Sequence, residues 1–212
     1  HKGTKTYSFL ALDQAKAAGA YTISITSNQP GQRIQVADDV LNTVDAEVSA
    51  AFTISYTSAL MVLGMLASAL GEGDGDGARP KAGLAMVPDV AARVLEGRES
   101  IQKAAERFQD RTRFVCAAAG PNTANAYEVS LKIKETSRAD GEGFHVEQLL
   151  HGPFCAVDEH CLVTLVAPPG PAYQRAVDVA RASAAVEAPV WALVEEGDSL
   201  LAAEATSVFQ MP

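Results

Sequence analysis

Basic residues never gather in this chain: 17 lysines and arginines are scattered against 26 aspartates and glutamates, for a formal charge of −9. That balance excludes a general nucleic-acid surface or an anionic-membrane surface, so any anion must be captured locally. Cysteine is scarce as well. Cys116, Cys155 and Cys161 are odd in number and lack CxxC spacing, which argues against a disulfide framework or structural zinc and fits free thiols in a reducing cytoplasm. Residues 1–20 show no basic start, apolar core and small-residue cleavage pattern, so no signal peptide is read. GxGxxG, Walker-lysine and GxSxG elements are missing, which removes dinucleotide, P-loop and hydrolase readings at the level of motif. Neither a cofactor nor a metal is expected.

What is present is an ordinary soluble composition, 48% hydrophobic and 20% charged over 212 residues, enough for one large domain or two small ones. Strand-like runs at 22–27, 39–44, 113–118, 162–168, 190–195 and 207–212 alternate with helical stretches, the pattern of parallel βαβ units with helices on both sheet faces. The fold class is read as α/β. The glycine-rich piece GEGDGDGARP at 71–80 has the composition of a flexible connection. It sets the expected domains at 1–72 and 81–212, with a linker at 73–80. Residues 50–70, AAFTISYTSALMVLGMLASAL, could span a bilayer by length, but their hydroxyls and lack of basic flanks favour a helix buried inside an α/β domain. The halves repeat a theme, each running from a loop with Gly and Thr into an amphipathic helix, where free N–H groups attract an anion. The chain opens on HKGTKT without Met and closes on SVFQMP, and it is read as a piece of something longer.

The richest stretch is EVSLKIKETSRADGEGFHVEQLLHGP, Glu128 to Pro153. At about 100° per residue, Glu128, Lys132 and Glu135 share one helix face, while Ala126, Val129 and Ile133 form a separate apolar stripe. Gly141 and Gly143 read as helix breakers, and His151 comes just before Gly152-Pro153, at an element end facing a cleft. From residue types alone, a solvated ion-pair face is the more ordinary reading of Glu128 and Lys132. Two other patterns are set aside. The run Glu72–Gly77 starts like a calcium loop but has Gly83 where a bidentate carboxylate belongs. His145-Val146-Glu147 starts like a deaminase H-x-E, but the thiols that follow are wrongly spaced for zinc.

The segment KIKETSRADGEGFHVEQLLHGP closely resembles the second sugar-isomerase (SIS) domain of glucosamine-6-phosphate synthases, which has the pattern K-x-K-E-x-S, then A-E, then E-L-x-HGP. HKGTKTYSFLALDQAKAAGA and TVDAEVSAAFTISYTSALMVLGML are similar to the phosphate loop and the following helix segment of the first SIS domain. The resemblance implies two SIS-type three-layer αβα domains, each a parallel sheet flanked by helices, the first beginning after its first strand. It implies an aldose–ketose isomerase or aminotransferase unit of amino-sugar metabolism, acting as a homodimer on a hexose 6-phosphate such as fructose 6-phosphate. Glu135 would shuttle the proton and His151, contributed across the dimer interface, would open the ring. Lys132 would stabilise developing negative charge, oriented by Glu128. His1, Lys2, Gly3, Thr4, Lys5 and Thr6 would hold the phosphate, with Glu47, Ala50 and Thr53 on the sugar. Departures from the family pattern are Lys2 and Lys5 in a loop that is normally rich in serine and glutamine, and Phe52 and Ile54 in place of a serine and a lysine. The chain contains neither a glutaminase domain nor the family's C-terminal lysine. The alternative is a non-catalytic, phosphosugar-binding regulatory module.

Overall fold

The computed structural model describes residues 6–28, 36–71 and 78–212. The chain divides into two compact units, His1–Pro88 and Asp89–Pro212. In the first, helix α1 (Thr6–Ala17) precedes strands β1 (Ile23–Thr26) and β2 (Asp39–Asn42), which pair in parallel with Ile23 opposite Asp39. Asp38 ties the strand ends together. Its carboxylate accepts from the Thr22 N–H at 2.8 Å and the Thr22 hydroxyl at 2.7 Å, and meets Lys16 at 3.1 Å. Helix α2 (Ile54–Gly71) follows, and helix α3 (Ala78–Glu96) crosses the boundary between the units beside its internal Pro88, a residue that deletes one helical hydrogen bond. Residues 78–80, expected to belong to a connection, open α3 instead; the acidic run Glu72–Gly77 lies outside the described residues.

The expected burial of the long apolar helix is not found. Only Ser55 and Ser68 of α2 are buried, whereas Leu60, Leu63, Met65 and Leu70 are exposed. An 18-residue helix is about 27 Å long, and the two described strands, four residues each, run only about 13 Å, too short to cover it. By length and composition alone, α2 is apolar enough to cross a membrane.

The second unit is a five-stranded parallel sheet with helices on both faces. After helix α4 (Arg98–Arg107) come β3 (Arg113–Ala118), α5 (Thr123–Ser137), β4 (Asp140–His145), α6 (Val146–Leu150), β5 (Cys161–Ala167), α7 (Tyr173–Ala185), β6 (Val190–Glu195), α8 (Leu200–Glu204) and β7 (Ser207–Met211). The strand order is β4-β3-β5-β6-β7, with Arg113 aligned to both Asp140 and Cys161. Apolar runs such as CLVTLVA form strands here because both faces are covered. Alternation sends Val163, Leu165, Val190, Ala192 and Val194 to one face, where they pack with Leu149, Val177, Val179 and Leu201 of α6, α7 and α8. The opposite face is served by two separate clusters. Ala104 and Phe108 pack on Leu162, with Phe114 and Trp191 alongside, and Ala126 packs on Cys116 and Ala118.

β4 is an element that departs from the sequence reading, in which Gly141 and Gly143 are helix breakers. They are strand residues chosen for closeness. A Cβ on Gly143 would stand 2.8 Å from both Cα and N of Tyr127, and one on Gly141 would stand 3.1 Å from the Ser130 carbonyl oxygen. Helix α5 therefore lies flush on the β4 backbone, an approach that only glycine permits.

Candidate functional site

Helix α5 brings the three ionisable residues together as the spacing requires. Lys132 Nζ lies 2.6 Å from Glu135 Oε2 and 3.4 Å from Glu128 Oε1. The lysine and Glu128 side chains are about one-fifth exposed and Glu135 about 37% exposed, so the group is neither sealed nor fully solvated. Lys132 titrates above its ordinary value. The hydrogen bond to Glu135 is the largest cause, and Glu128 adds to it against a partial desolvation. A cation fixed between two carboxylates can offer a positive charge to an oxygen while leaving carboxylate oxygens to take up a proton.

His151 occupies the C-cap of α6 and its side chain is mostly exposed. Its Nδ1 lies 2.8 Å from the Glu147 carbonyl, which can only accept, so Nδ1 carries a proton and Nε2 of the neutral ring keeps its lone pair. Among the described residues no hydrogen bond or ion pair joins His151 to the α5 trio. The sequence did not show the support behind this histidine. Glu147, 3.6 Å from His151 Nδ1, is paired with Arg175 of α7, which also binds Asp178 at 2.6 Å. Arg175 is the main reason that the Glu147 carboxyl is held below its usual range. Those partners are 28 residues apart, so no local spacing reveals them.

The first-half candidates fare differently. His1, Lys2, Gly3, Thr4 and Lys5 lie outside the described residues, and Thr6 is the exposed first residue of α1. Ala50 is exposed in the loop before α2. Glu47 is buried and its carboxylate caps that helix, with Oε1 accepting from the Thr53 N–H at 2.8 Å and the Ile54 N–H at 3.0 Å, and Oε2 from the Ser55 N–H at 2.7 Å. Burial works against this charge, but the Ser55 side chain and the N–H groups of Ser55, Ile54 and Thr53 outweigh it and hold the carboxyl down at about 2. Glu47 thus shapes the entry to α2, and Thr53 shares its oxygen.

The strand order reverses at β3, and the crevice beyond the carboxyl ends of β3 and β5 is the usual ligand position in open parallel sheets. A cavity of about 300 Å³ opens there, between Gly120–Asn122 and Pro168–Tyr173. None of the sequence-selected residues lines it, although α5 starts at its edge.

No family model matches the chain. It is 28% identical over 207 residues to a glutamine–fructose-6-phosphate aminotransferase (isomerizing) of Thermus thermophilus, an alignment covering 95% of the chain and 34% of that protein. The chain thus spans about a third of the length of the curated relatives it matches. The C-terminal domain of the glucosamine-fructose-6-phosphate aminotransferase of Francisella tularensis superposes over the whole chain and 62% of its own, with a TM-score of 0.89 at 19% identity. Tagatose-6-phosphate ketose/aldose isomerase of Escherichia coli superposes over the whole chain and 59% of its own, with a TM-score of 0.77 at 19% identity.

Proposed function

Because the chain resembles the sugar-isomerase (SIS) family and the isomerase part of glutamine–fructose-6-phosphate aminotransferase, we propose that it is an aldose–ketose isomerase unit built from two SIS-type domains and acting on a hexose 6-phosphate such as fructose 6-phosphate. The observation that carries this reading is Lys132 held between Glu128 and Glu135 on one face of α5. Moving a carbonyl between C1 and C2 requires a base that takes a proton from one carbon and returns it to the next. Glu135 is that base, and the proton it removes from C1 is delivered to C2 through an enediol. Lys132 lies against the oxygen on which negative charge develops, and Glu128 keeps it there. His151, with Nδ1–H donated to the Glu147 carbonyl, uses Nε2 to take and return the hydroxyl proton as the ring opens. The histidine acts across a homodimer interface, consistent with its exposure and with the lack of a described contact to the trio on its own chain. The segment His1–Thr6 receives the phosphate.

The test is an NMR time course with fructose 6-phosphate in D2O, with and without ammonia, comparing the wild-type chain with Glu135→Gln. Deuterium entering at C1, with exchange reduced by about 10²–10⁴-fold in the variant, supports the shuttle. The engagement of Glu47 in capping α2, rather than on a sugar, favours the second reading of a phosphosugar-binding regulatory module. In that case the sugar phosphate binds saturably and no deuterium enters in either protein.

A further inference from the structure

On the second face of the five-stranded sheet, α4 and α5 stand over separate clusters and leave a groove of about 830 Å³ between them. Leu162, Thr164 and Trp191 form its floor, and Phe108 at the C-cap of α4 and Ile133 of α5 are among its walls. The volume lies within the range of about 300–1,000 Å³ typical of small-molecule sites, as does a lining that is mostly apolar with a few polar groups. One of those groups is unusual. Trp191 Nε1 is buried and meets no acceptor among the described residues, although a buried indole N–H ordinarily finds one.

The rim is cationic. Arg111, Arg113 and Arg138 border the groove against a single aspartate, Asp140. Arg113 is neutralised by Asp158 at 2.9 Å. Arg111 donates to the Glu159 backbone carbonyl, Arg138 is exposed at the left-handed C-cap of α5, and neither pairs with a carboxylate among the described residues. An apolar, aromatic-walled slot with an unpaired donor in its floor and two spare guanidinium groups at its mouth is complementary to one ligand chemistry.

We propose that the groove between α4 and α5 binds a small aromatic anion, with its ring system over Trp191 and its carboxylate, sulfonate or phosphate at Arg111 and Arg138. The site is distinct from the proton-transfer group. Val129, Ile133 and Ser137 face the groove, while Glu128, Lys132 and Glu135 lie on another face of the same helix. Occupancy therefore braces α5 from behind without competing for the sugar.

Trp191 is the chain's single tryptophan, so its emission reports directly on the groove. The probe is 8-anilinonaphthalene-1-sulfonate, titrated into the whole chain while Trp191 quenching is followed. The expected result is saturable one-to-one quenching. Ala105→Phe, an exposed position on α4 at the groove wall, abolishes the response without changing circular dichroism. Arg138→Gln weakens binding by about fivefold, the effect of one lost charge contact. Because the exposed face of α2 also offers apolar surface to the dye, dye uptake that is indifferent to both variants overturns the proposal. So does a concentration-dependent dimer, detected by sedimentation, that shields Trp191 and excludes the dye, since the groove would then be a contact between copies.

Discussion

Lys132 Nζ and Glu135 Oε2 stand 2.6 Å apart across less than one turn of α5, with Glu128 closing the far side of the lysine at 3.4 Å. The pairing makes a prediction that needs no substrate. Glu135 is the largest cause of the raised Lys132 titration, so Glu135→Gln lowers the Lys132 midpoint towards that of an ordinary lysine, as followed by NMR of the side-chain ammonium. An unmoved midpoint would mean that the pair does not form in solution. The proposed role of Lys132 predicts that, in the fructose 6-phosphate exchange experiment, Lys132→Met lowers turnover by about 10²-fold, the usual loss on removing one charge-stabilising donor.

Glu47 links the first unit to acid. Its folded titration near 2 lies below the ordinary value of 4.5, so the stability it contributes is fully present above about 4.5 and is lost as pH falls through 2. Thermal scans from pH 6 to pH 2, read by helical circular dichroism, therefore show a smaller drop in melting temperature for Glu47→Gln than for wild type, starting from a lower value at neutral pH. Parallel curves for the two proteins would remove Glu47 from the acid response.

Two glycines are predicted to respond in opposite directions to the same methyl group. Gly143→Ala forces a Cβ to within 2.8 Å of Tyr127 backbone atoms and destabilises the second unit by about 1–3 kcal/mol or more. Gly83→Ala, inside α3 with nothing within 4 Å, stabilises by about 0.5–1 kcal/mol. Urea unfolding of the two variants distinguishes these outcomes.

Thiol chemistry separates the three cysteines. Burial pushes the Cys116 thiol up to about 12, against a weaker opposing contact with Thr164, and Cys161 is also buried and raised; Cys155 is exposed. Native protein treated with a thiol-specific disulfide reagent therefore loses one cysteine rapidly and the other two only on unfolding. Rapid labelling of Cys116 would contradict the packing of the second sheet face.

The strands legible in the sequence were those built from β-branched and apolar runs, with β1, β2 and β7 falling inside the expected 22–27, 39–44 and 207–212. The runs at 113–118 and 190–195 match β3 and β6 residue for residue, and β5 begins one residue before the expected strand. The DGEGFH of β4 was invisible because neither Gly nor Asp favours a strand, and the need for glycine there comes from α5, a partner brought in by folding. The ionisable trio was legible because helical spacing alone places it. Glu147 and Arg175 meet only through the docking of α6 and α7, and the capping of α2 by Glu47 appears only once that helix is in view. The burial of α2 was misjudged because its composition reports apolarity and says nothing of what covers it.

The glycine seam between α5 and β4 also bears on motion. Where helices and strands meet through side chains, rotamer hopping lets the backbones slide by fractions of an ångström. Here backbone touches backbone, and the softest coordinate between helix and strand is removed. The strand runs straight into the short helix that ends at His151, so the mount of the histidine and the shelf carrying Lys132 share one stiff body. Amide protons along Tyr127–Ser130 and Gly141–Gly143 should accordingly exchange together, in one cooperative opening rather than by independent fraying.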